Sequence, residues 1–304
     1  MLRSVLLYLS EQKGLQNLIL RRKLARKVAR RFVAGETFTE AVEVTRDLNT
    51  RGMDVTLDHL GESVQHEDQA VRATDDYIKI LERLDKEKGI EASISIKPTQ
   101  VGLAIDPDLC RGNLRRLAQA ARDYGNFVRI DMESTDYAES TLNIFYDLFD
   151  EFDNLGIVIQ SYLRRSEDDV RKLASIAAPV RLCKGAYKEP EDLAFQRKSE
   201  VNDSFVRLLE IMMDSQAPLA VATHDHLMIE AAKRLIKNYA DRTAPVEFQM
   251  LYGIRRDIQA LLVRQGYKMR VYVPYGSDWY PYFMRRMAER PANLFFVLRA
   301  SVGK

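Results

Sequence analysis

The sequence of 304 residues predicts an α/β protein built around a (β/α)8 barrel, with helices before the first strand. Three observations support this prediction. Short runs rich in β-branched residues alternate with segments of helical periodicity, there are eight such runs, and they fit within about 250 residues. This size and this strand count are those of a closed parallel barrel of the TIM type.

Each predicted strand is a β-rich run that ends in polar residues. The predicted strands are 55–60, 92–97, 127–131, 156–160, 180–184, 219–224, 246–251 and 270–275. Between them, apolar residues recur every three or four positions, which indicates amphipathic helices. The clearest helical segments are 110–124, 138–152, 166–176, 199–213, 226–237 and 254–265. A doubly wound sheet could also hold eight strands. However, Gly185 and Gly253 are single glycines after strands and no GxGxxG loop follows an early strand, so the barrel is favoured.

Residues 1–50 precede the first strand and are predicted to be helical throughout. The chain is therefore expected to divide into an N-terminal helical segment, 1–50, and a barrel domain with a C-terminal helix, 51–304. Seven of the eleven residues 21–31 are cationic. Leu24, Val28 and Phe32 recur at helical spacing and would form a narrow apolar stripe on this helix. A basic amphipathic helix can lie on an anionic membrane surface or can pack its stripe on the barrel, and packing is favoured.

The bulk composition narrows the function classes. A net charge of +2 gives no field that would indicate a nucleic-acid partner. The two cysteines, Cys110 and Cys183, are too few for a disulfide framework and favour a reducing compartment. No apolar run approaches the roughly 20 residues of a membrane span, and the first residues lack a secretory cleavage pattern. We therefore expect a cytoplasmic protein.

Polar side chains stand at the end of every predicted strand, where barrels carry their chemistry. They are Asp58, Glu62, Lys97, Asp131, Glu133, Gln160, Arg181, Lys184, Thr223, His224, Gln249, Tyr272 and Tyr275. One polar residue at a strand end can simply face solvent. A series on all eight strands, with mixed charge, predicts a polar mouth that binds a ligand.

Several chemistries can be weighed from the residues alone. His224 and His226 would share one face of a strand, but no further His or Cys motif completes a metal site, so no metal is expected. Cys183 has no histidine in sequence reach and is expected to be a small core residue. Lys97 and Lys184 could form Schiff bases or hold an anion, which leaves a lysine-dependent barrel aldolase as an alternative. A membrane-surface or scaffold protein with a degenerate barrel is the second alternative.

The last predicted helix carries two adjacent arginines, Arg285 and Arg286, after a Pro-Tyr-Gly turn and several aromatic residues. A guanidinium group keeps its charge and binds carboxylates with two hydrogen bonds. An isolated pair of arginines is usually solvated. The position of this pair at the end of a regular series of polar strand ends favours a site for a small carboxylate.

Eight segments in order carry a resemblance to a known family. They are LDHLGE (57–62), the strand of Lys97, RIDME (129–133), IQSYLRR (159–165), RLCKGAY (181–187), ATHD (222–225), EFQMLYG (247–253) and the YVPYG…YFMRRMAE run (272–289). Together they span roughly residues 55–290, and the sequence resembles the flavin-dependent proline dehydrogenases, in particular the short monofunctional bacterial type. Many relatives have an aromatic residue where Lys188 stands here.

The resemblance implies a distorted barrel with FAD held non-covalently at the strand ends. It implies oxidation of L-proline to Δ1-pyrroline-5-carboxylate by hydride transfer from ring carbon C5 to flavin N5, the first step of proline catabolism to glutamate. It also implies that electrons pass to a membrane quinone, which would require a peripheral contact with the inner face of the plasma membrane.

The resemblance further assigns roles to single residues. Arg285, Arg286 and Lys97 would hold the proline carboxylate, Asp131 and Glu62 would pair with the arginines, and Tyr272, Leu251 and Tyr187 would surround the ring. Those assigned to the flavin are Met132, Gln160, Arg181, Lys184, Gly185, Thr223, His224, Gln249 and Glu289. Among these, Arg181 is expected near flavin N5 and Lys184 near N1 and C2=O.

Overall fold

The structure is a computed structural model that describes residues 29–61 and 64–289, without the side chains of residues 287–289. Within these residues eight parallel strands close into a barrel in chain order, so that β1 pairs with both β2 and β8. The predicted (β/α)8 barrel is confirmed.

The elements of the described chain follow the order expected for this fold. The strands are β1 Asp54–His59, β2 Ala92–Ile96, β3 Val128–Ile130, β4 Leu155–Gln160, β5 Val180–Cys183, β6 Leu219–Ala222, β7 Val246–Leu251 and β8 Lys268–Tyr275. The helices are α1 Phe38–Thr50, α2 Glu67–Lys86, α3 Pro107–Asp123, α4 Thr135–Phe149, α5 Ser166–Ser175, α6 Lys198–Asp214, α7 His226–Asn238, α8 Arg256–Arg264 and α9 Trp279–Glu289. A short 3-10 helix, Pro98–Val101, follows β2. Five of the strands end one or two residues earlier than predicted, which places Lys97, Asp131 and Lys184 just beyond the sheet.

Side chains alternate between the helices and the barrel interior. Val55 and Leu57 of β1, for example, are buried in the apolar core together with helical residues. The interior is polar instead. Arg181 of β5 donates a hydrogen bond to Ser95 Oγ of β2 across the barrel at 3.1 Å. Polar and charged side chains therefore line the inside of the barrel, and they are available for binding at either end of it.

The expectation that residues 1–50 are helical throughout is wrong at residues 30–37, which hold no helix. Gly35 has a φ of +145°, and Thr37 begins α1 with a capping box. Its hydroxyl accepts from Glu40 N at 3.3 Å, while the Glu40 carboxylate accepts from Thr37 N at 3.1 Å. A capping box satisfies the free amides at the start of a helix, so α1 begins as a new helix. Most of the basic stretch 21–31 lies outside the described residues.

The segment 29–36 packs against α9 and the turn before it. Phe32 is buried in a cluster with Phe283 and Trp279, and Trp279 Nε1 donates to Glu36 Oε1 at 3.1 Å. Gly276 N also donates to Gly35 O at 2.9 Å. The segment therefore fixes the position of α9. None of the helices within the described ranges combines the length and the apolar character that crossing a bilayer requires.

Candidate active site

Asp131 is the centre of a hydrogen-bonded group at the carboxyl end of the barrel. Its Oδ1 accepts from Arg181 Nη1 at 2.9 Å and from Ser95 Oγ at 2.7 Å. Its Oδ2 accepts from the Tyr272 hydroxyl at 2.9 Å. These partners come from β2, β5 and β8, so one carboxylate ties three strands together. The Asp131–Arg181 pair is largely buried, with 15% and 6% of the side chains exposed.

A second ion pair lies beside this group. Lys97 Nζ donates to both oxygens of Asp58 at 2.9 and 3.0 Å, and Asp58 is almost fully buried. Burial acts to lower the pKa of Lys97, but the charges of Asp58 and Asp131 outweigh burial and raise it. Lys97 therefore stays a cation, which suits it to hold an anionic group.

Tyr272 forms one wall of this site and remains a neutral phenol. Burial and the negative charges of Asp131 and Asp58 raise its pKa well above the usual value. The Arg181 guanidinium lies over its ring at 5.3 Å from the centroid. Tyr272 can thus orient Asp131 and present an apolar ring face, while its hydroxyl keeps its proton.

The two arginines lie on α9, which packs in one cluster with Leu60 and Leu251 at the carboxyl ends of β1 and β7. Arg285 is exposed and Arg286 is half-buried, with its guanidinium 5.2 Å from the Tyr282 ring centroid. Burial raises the pKa of Tyr187, and the nearby charge of Arg285 opposes this rise, so Arg285 and Tyr187 lie in the same region. Tyr187 itself keeps 44% of its surface exposed.

Two residues assigned to the flavin by the sequence each have a buried polar atom for which the structure gives no hydrogen-bond partner. The atoms are Gln160 Oε1 and Arg181 Nε. The Gln160 amide nitrogen is used, since it donates to Met132 O at 3.0 Å. Because leaving a buried acceptor or donor without a partner is costly, these two atoms indicate that a polar molecule completes the site.

A cavity of about 440 Å³ lies beyond β5 and β6, lined by Lys184, Lys198, Ala222, Thr223, His224 and Asp225. Lys184 Nζ donates to Asp225 Oδ2 at 2.7 Å and to Asn202 Oδ1 at 2.5 Å. Thr223 Oγ1 accepts from the Asp225 amide at 3.1 Å. His224 Nε2 accepts from the Leu251 amide at 3.0 Å, which ties this loop to the end of β7.

Gly185 follows Lys184 with a φ of +101°, a conformation that favours glycine. A Cβ atom at this position would collide with the Tyr162 ring. The glycine therefore allows the loop after β5 to pass close to Tyr162, and this path sets the position of Lys184.

Comparison with known proteins identifies the family. A model of the family described as proline dehydrogenase matches residues 41–299. Proline dehydrogenase 1 of Bacillus subtilis subsp. natto is 41% identical over 304 residues, which cover 100% of both chains. The proline dehydrogenase of Deinococcus radiodurans is 40% identical over 277 residues, 90% of this chain and 89% of the relative. The chain belongs to the proline dehydrogenase family.

A solved structure agrees with this assignment. The crystal structure of proline utilization A (PutA) from Bdellovibrio bacteriovorus, inactivated by N-propargylglycine, matches with a TM-score of 0.84 at 26% identity. The match covers 100% of this chain and 38% of the PutA chain. The resemblance inferred from the sequence motifs is confirmed, and the chain is an oxidoreductase of proline metabolism with a TIM-type barrel.

Most site residues predicted for this proline dehydrogenase family member come together in the structure. Asp131, Tyr272, Arg181 and Lys97 form the floor of the mouth, and Gln160 with Met132 lies next to them. Lys184, Thr223 and His224 line the 440 Å³ cavity, and Gly185 follows Lys184 in the chain. The individual roles of all these residues stay predictions.

Four predicted site residues differ in what the structure shows of them. Glu62 and the side chain of Glu289 lie outside the described residues. The Gln249 amide donates to Glu247 Oε1 at 2.5 Å, and the side chain lines an interior cavity with Arg181, so its assignment to the flavin stays a prediction. Both oxygens of Asp131 have partners on the strands, and its expected pairing with Arg285 or Arg286 stays a prediction.

The two histidines do not share a strand face as expected, since β6 ends at Ala222 and His226 is the first residue of α7. The family assignment argues against the aldolase alternative, and at Lys97 the charge of Asp58 outweighs burial and raises the pKa of the amine. A Schiff base requires the neutral amine.

Sequence reasoning missed the partners that hold the site together, since it named Asp58 only as a polar strand end and gave Ser95 and Asp225 no role. Asp58, Asp225 and Ser95 provide the partners of Lys97, Lys184 and Asp131. A usable signal was the alternation along β1 and β2, which places Asp58 and Ser95 toward the interior. No local signal indicated Asp225, whose partner lies 41 residues away in the chain.

Proposed function

We propose that this chain oxidises L-proline to Δ1-pyrroline-5-carboxylate with FAD as the hydride acceptor. The observation that carries the proposal is the charged floor of the mouth, which the Asp131–Arg181 and Lys97–Asp58 pairs form. Each pair is neutral as a whole. Arg285 and Arg286 would therefore add guanidinium groups to a floor that carries no net charge, which suits a substrate with one carboxylate.

The roles of the substrate residues follow from their chemistry. Arg285 and Arg286 would bind the carboxylate, because guanidinium groups offer paired donors in a fixed plane. Lys97, held by Asp58, would add a third donor from the floor. Tyr272 would contact the apolar ring, and Asp131 would keep Tyr272 and Arg181 oriented before the substrate arrives.

The residues present also fit FAD. The group supplies the acceptor for the hydride that leaves proline C5. Its ring edge offers both donors and acceptors, as the unpartnered Gln160 Oε1 and Arg181 Nε require. Its pyrophosphate is anionic, and Lys184 and Lys198 bring cations to the 440 Å³ cavity, opposed by one carboxylate.

We further propose that the electrons pass to a membrane quinone and that the reaction opens proline catabolism to glutamate. A quinone partner requires the enzyme to work at a bilayer surface, so we propose a cytoplasmic protein that contacts the inner face of the plasma membrane. Proline oxidation with a soluble quinone analogue, compared with and without vesicles, tests the first part. If only molecular oxygen serves as acceptor, quinone transfer is refuted.

The absorption spectrum of the purified protein tests cofactor and substrate together. Bound oxidised flavin absorbs near 450 nm, a general property of flavoproteins. We expect this band in the isolated protein and its loss when L-proline is added without oxygen. D-proline, which has the same groups in mirror-image arrangement, is the control and should leave the band in place. A protein that neither contains nor takes up FAD, or that stays yellow with L-proline, contradicts the proposal.

N-propargylglycine provides a second test, since the Bdellovibrio PutA structure is of a protein inactivated by it. The compound has a secondary amine and a carboxylate, as proline does. We expect progressive loss of proline oxidation in this enzyme, slowed by excess L-proline. Loss at the same rate with and without proline would mean that the compound does not act at the proline site.

A further inference from the structure

A separate cavity of about 380 Å³ lies inside the barrel at the end opposite to the active site. Many of its lining residues stand at or just before the first residue of a strand, which marks the amino end of the barrel. They are Asp54, Phe127, Asp153, Pro179, Pro218, Pro245 and Lys268. Branched apolar layers usually fill the interior of such barrels. Here charged side chains line an open space instead.

The lining of this cavity is highly charged. Its lining includes four cations and three anions: Arg129, Arg181, Lys268 and Arg270 against Asp54, Asp153 and Glu247. Arg270 pairs with Glu247 at 2.9 Å and with Asp54 at 3.2 Å. Arg181 pairs with Asp131 of the active site. Arg129 is the buried cation of this lining for which the structure gives no carboxylate partner.

The hydrogen bonds of Arg129 use only some of the donors of its guanidinium group. The side chain is 7% exposed, and its Nη1 donates to the carbonyl oxygens of Pro179 at 2.6 Å and Ile157 at 3.3 Å. Its Nε is buried without a partner. Burial first, and then the charge of Arg181, lower the pKa of Arg129 to about 9. The charges of Glu247 and Asp131 oppose this lowering. Arg129 is therefore still a cation at neutral pH, and a buried cation that forms no direct ion pair is costly.

The residues around Arg129 leave space for its guanidinium group and pack against it. Gly156 of β4 faces it, and a Cβ atom there would collide with its Nη1 and would lie 2.7 Å from the Phe127 ring. Phe127 packs against the guanidinium at 4.9 Å from the ring centroid. Glycine on one side and an aromatic ring on the other hold the guanidinium in place at the cavity wall.

We propose that this cavity binds a small monovalent anion, a halide or a carboxylate of formate size, on the Arg129 guanidinium. One negative charge would give the buried Arg129 guanidinium the direct ion pair that its described contacts do not provide. A polyanion such as phosphate is disfavoured, because the carboxylate of Glu247 lines the same space. Asp153 and Lys268 are exposed at the opening, so the cavity is accessible from solvent.

The first experiment compares the wild type with Arg129→Met by thermal unfolding in halide-free buffer and with added sodium chloride, and again with sodium formate. At about 100 times the Kd, the anion should raise the Tm of the wild type by roughly 5 °C more than that of Arg129→Met. In halide-free buffer the variant should be at least as stable as the wild type, because it lacks the unpaired charge. Arg242→Met is the matched control, since Arg242 also donates to buried carbonyl groups but does not line this cavity. It should lose stability and keep the full response to the anion.

A response to chloride or formate that is the same within about 1 °C in the wild type and in Arg129→Met overturns the proposal. A response to formate alone keeps the site and identifies a carboxylate ligand. Crystals of the wild type grown with bromide give a readout that does not depend on the variant folding. An anomalous peak within hydrogen-bond distance of Arg129 supports the site, whereas water alone at that position refutes it.

Discussion

Asp131→Asn is the most informative single substitution for this site. The amide keeps the size and one oxygen acceptor, but it removes the negative charge that faces Arg181. In the native structure Asp131 accepts from Arg181, Ser95 and Tyr272 at 2.7–2.9 Å. The substitution therefore tests whether this charge holds the floor of the mouth together.

The size of the effect can be worked out from burial. Both members of the pair are largely buried, at 15% and 6% exposure. Removing one partner of such a pair costs about 3–5 kcal/mol, because the other charge stays buried without compensation. We therefore expect the Tm to fall by roughly 10 °C. Losing one charge-assisted hydrogen bond, about 1.5–3 kcal/mol, lowers kcat/KM for proline by about 10- to 100-fold.

The assay is a double-mutant cycle with Asp131→Asn, Arg181→Gln and the double variant. Urea unfolding gives the stability term and anaerobic proline oxidation gives the activity term. The double variant should be more stable than the sum of the two single losses predicts, since it leaves no unpaired charge at this pair. Its activity should stay low, because neither charge is restored.

Additive losses of stability would refute this account, and so would wild-type stability in Asp131→Asn. The matched control is Glu200→Gln, which breaks the exposed Arg197–Glu200 pair. Exposed pairs contribute little, so this control should leave both Tm and kcat/KM unchanged.

Three further substitutions test other parts of the structure. Arg286→Lys should raise the KM for proline at least tenfold, since a point charge cannot replace a two-pronged donor, and an unchanged KM in steady-state kinetics removes Arg286 from the site. Gly253→Ala should lower the Tm and raise the same KM, because a Cβ atom there would collide with the Arg31 carbonyl and displace the segment under α9; wild-type values for both would contradict this. Burial acts to raise the pKa of Asp225, but its hydrogen bond from Lys184 and its backbone bond prevail and lower it. The difference in free energy of unfolding between the wild type and Asp225→Asn should thus be constant above about pH 5. It should vanish as the pH falls through the pKa that Asp225 has in the folded protein. Urea midpoints from pH 3 to 7 measure this difference, and a difference independent of pH refutes the pairing.

The fold could be predicted because its signals are local. Each strand is a short β-rich run, and the polar residues that end it are visible in the sequence. Lys97, Asp131 and Lys184 were therefore placed at strand ends, one residue beyond the observed strands. The break before α1 was missed because the cationic run keeps a helical period, although Thr37 and Glu40 form a readable capping box.

The partners within the site could not be predicted in the same way. Asp131 contacts Arg181 and Tyr272, which lie 50 and 141 residues away in sequence. Sequence motifs place such residues at one end of a barrel, but they do not tell which cation meets which carboxylate. The register of the strands and the direction of each side chain decide that pairing, and both depend on closure of the whole barrel.

The alternation along β3 connects the two ends of the barrel. Arg129 and Asp131 are two residues apart and thus share the interior face. Arg181 lies near both, since it pairs with Asp131 and its charge lowers the pKa of Arg129. The negative charge of Asp131 thereby offsets a cluster of positive charge that extends from the active site into the lower cavity. An anion on Arg129 would offset the same cluster from below, so Arg181 can remain oriented toward the active site without repulsion from Arg129.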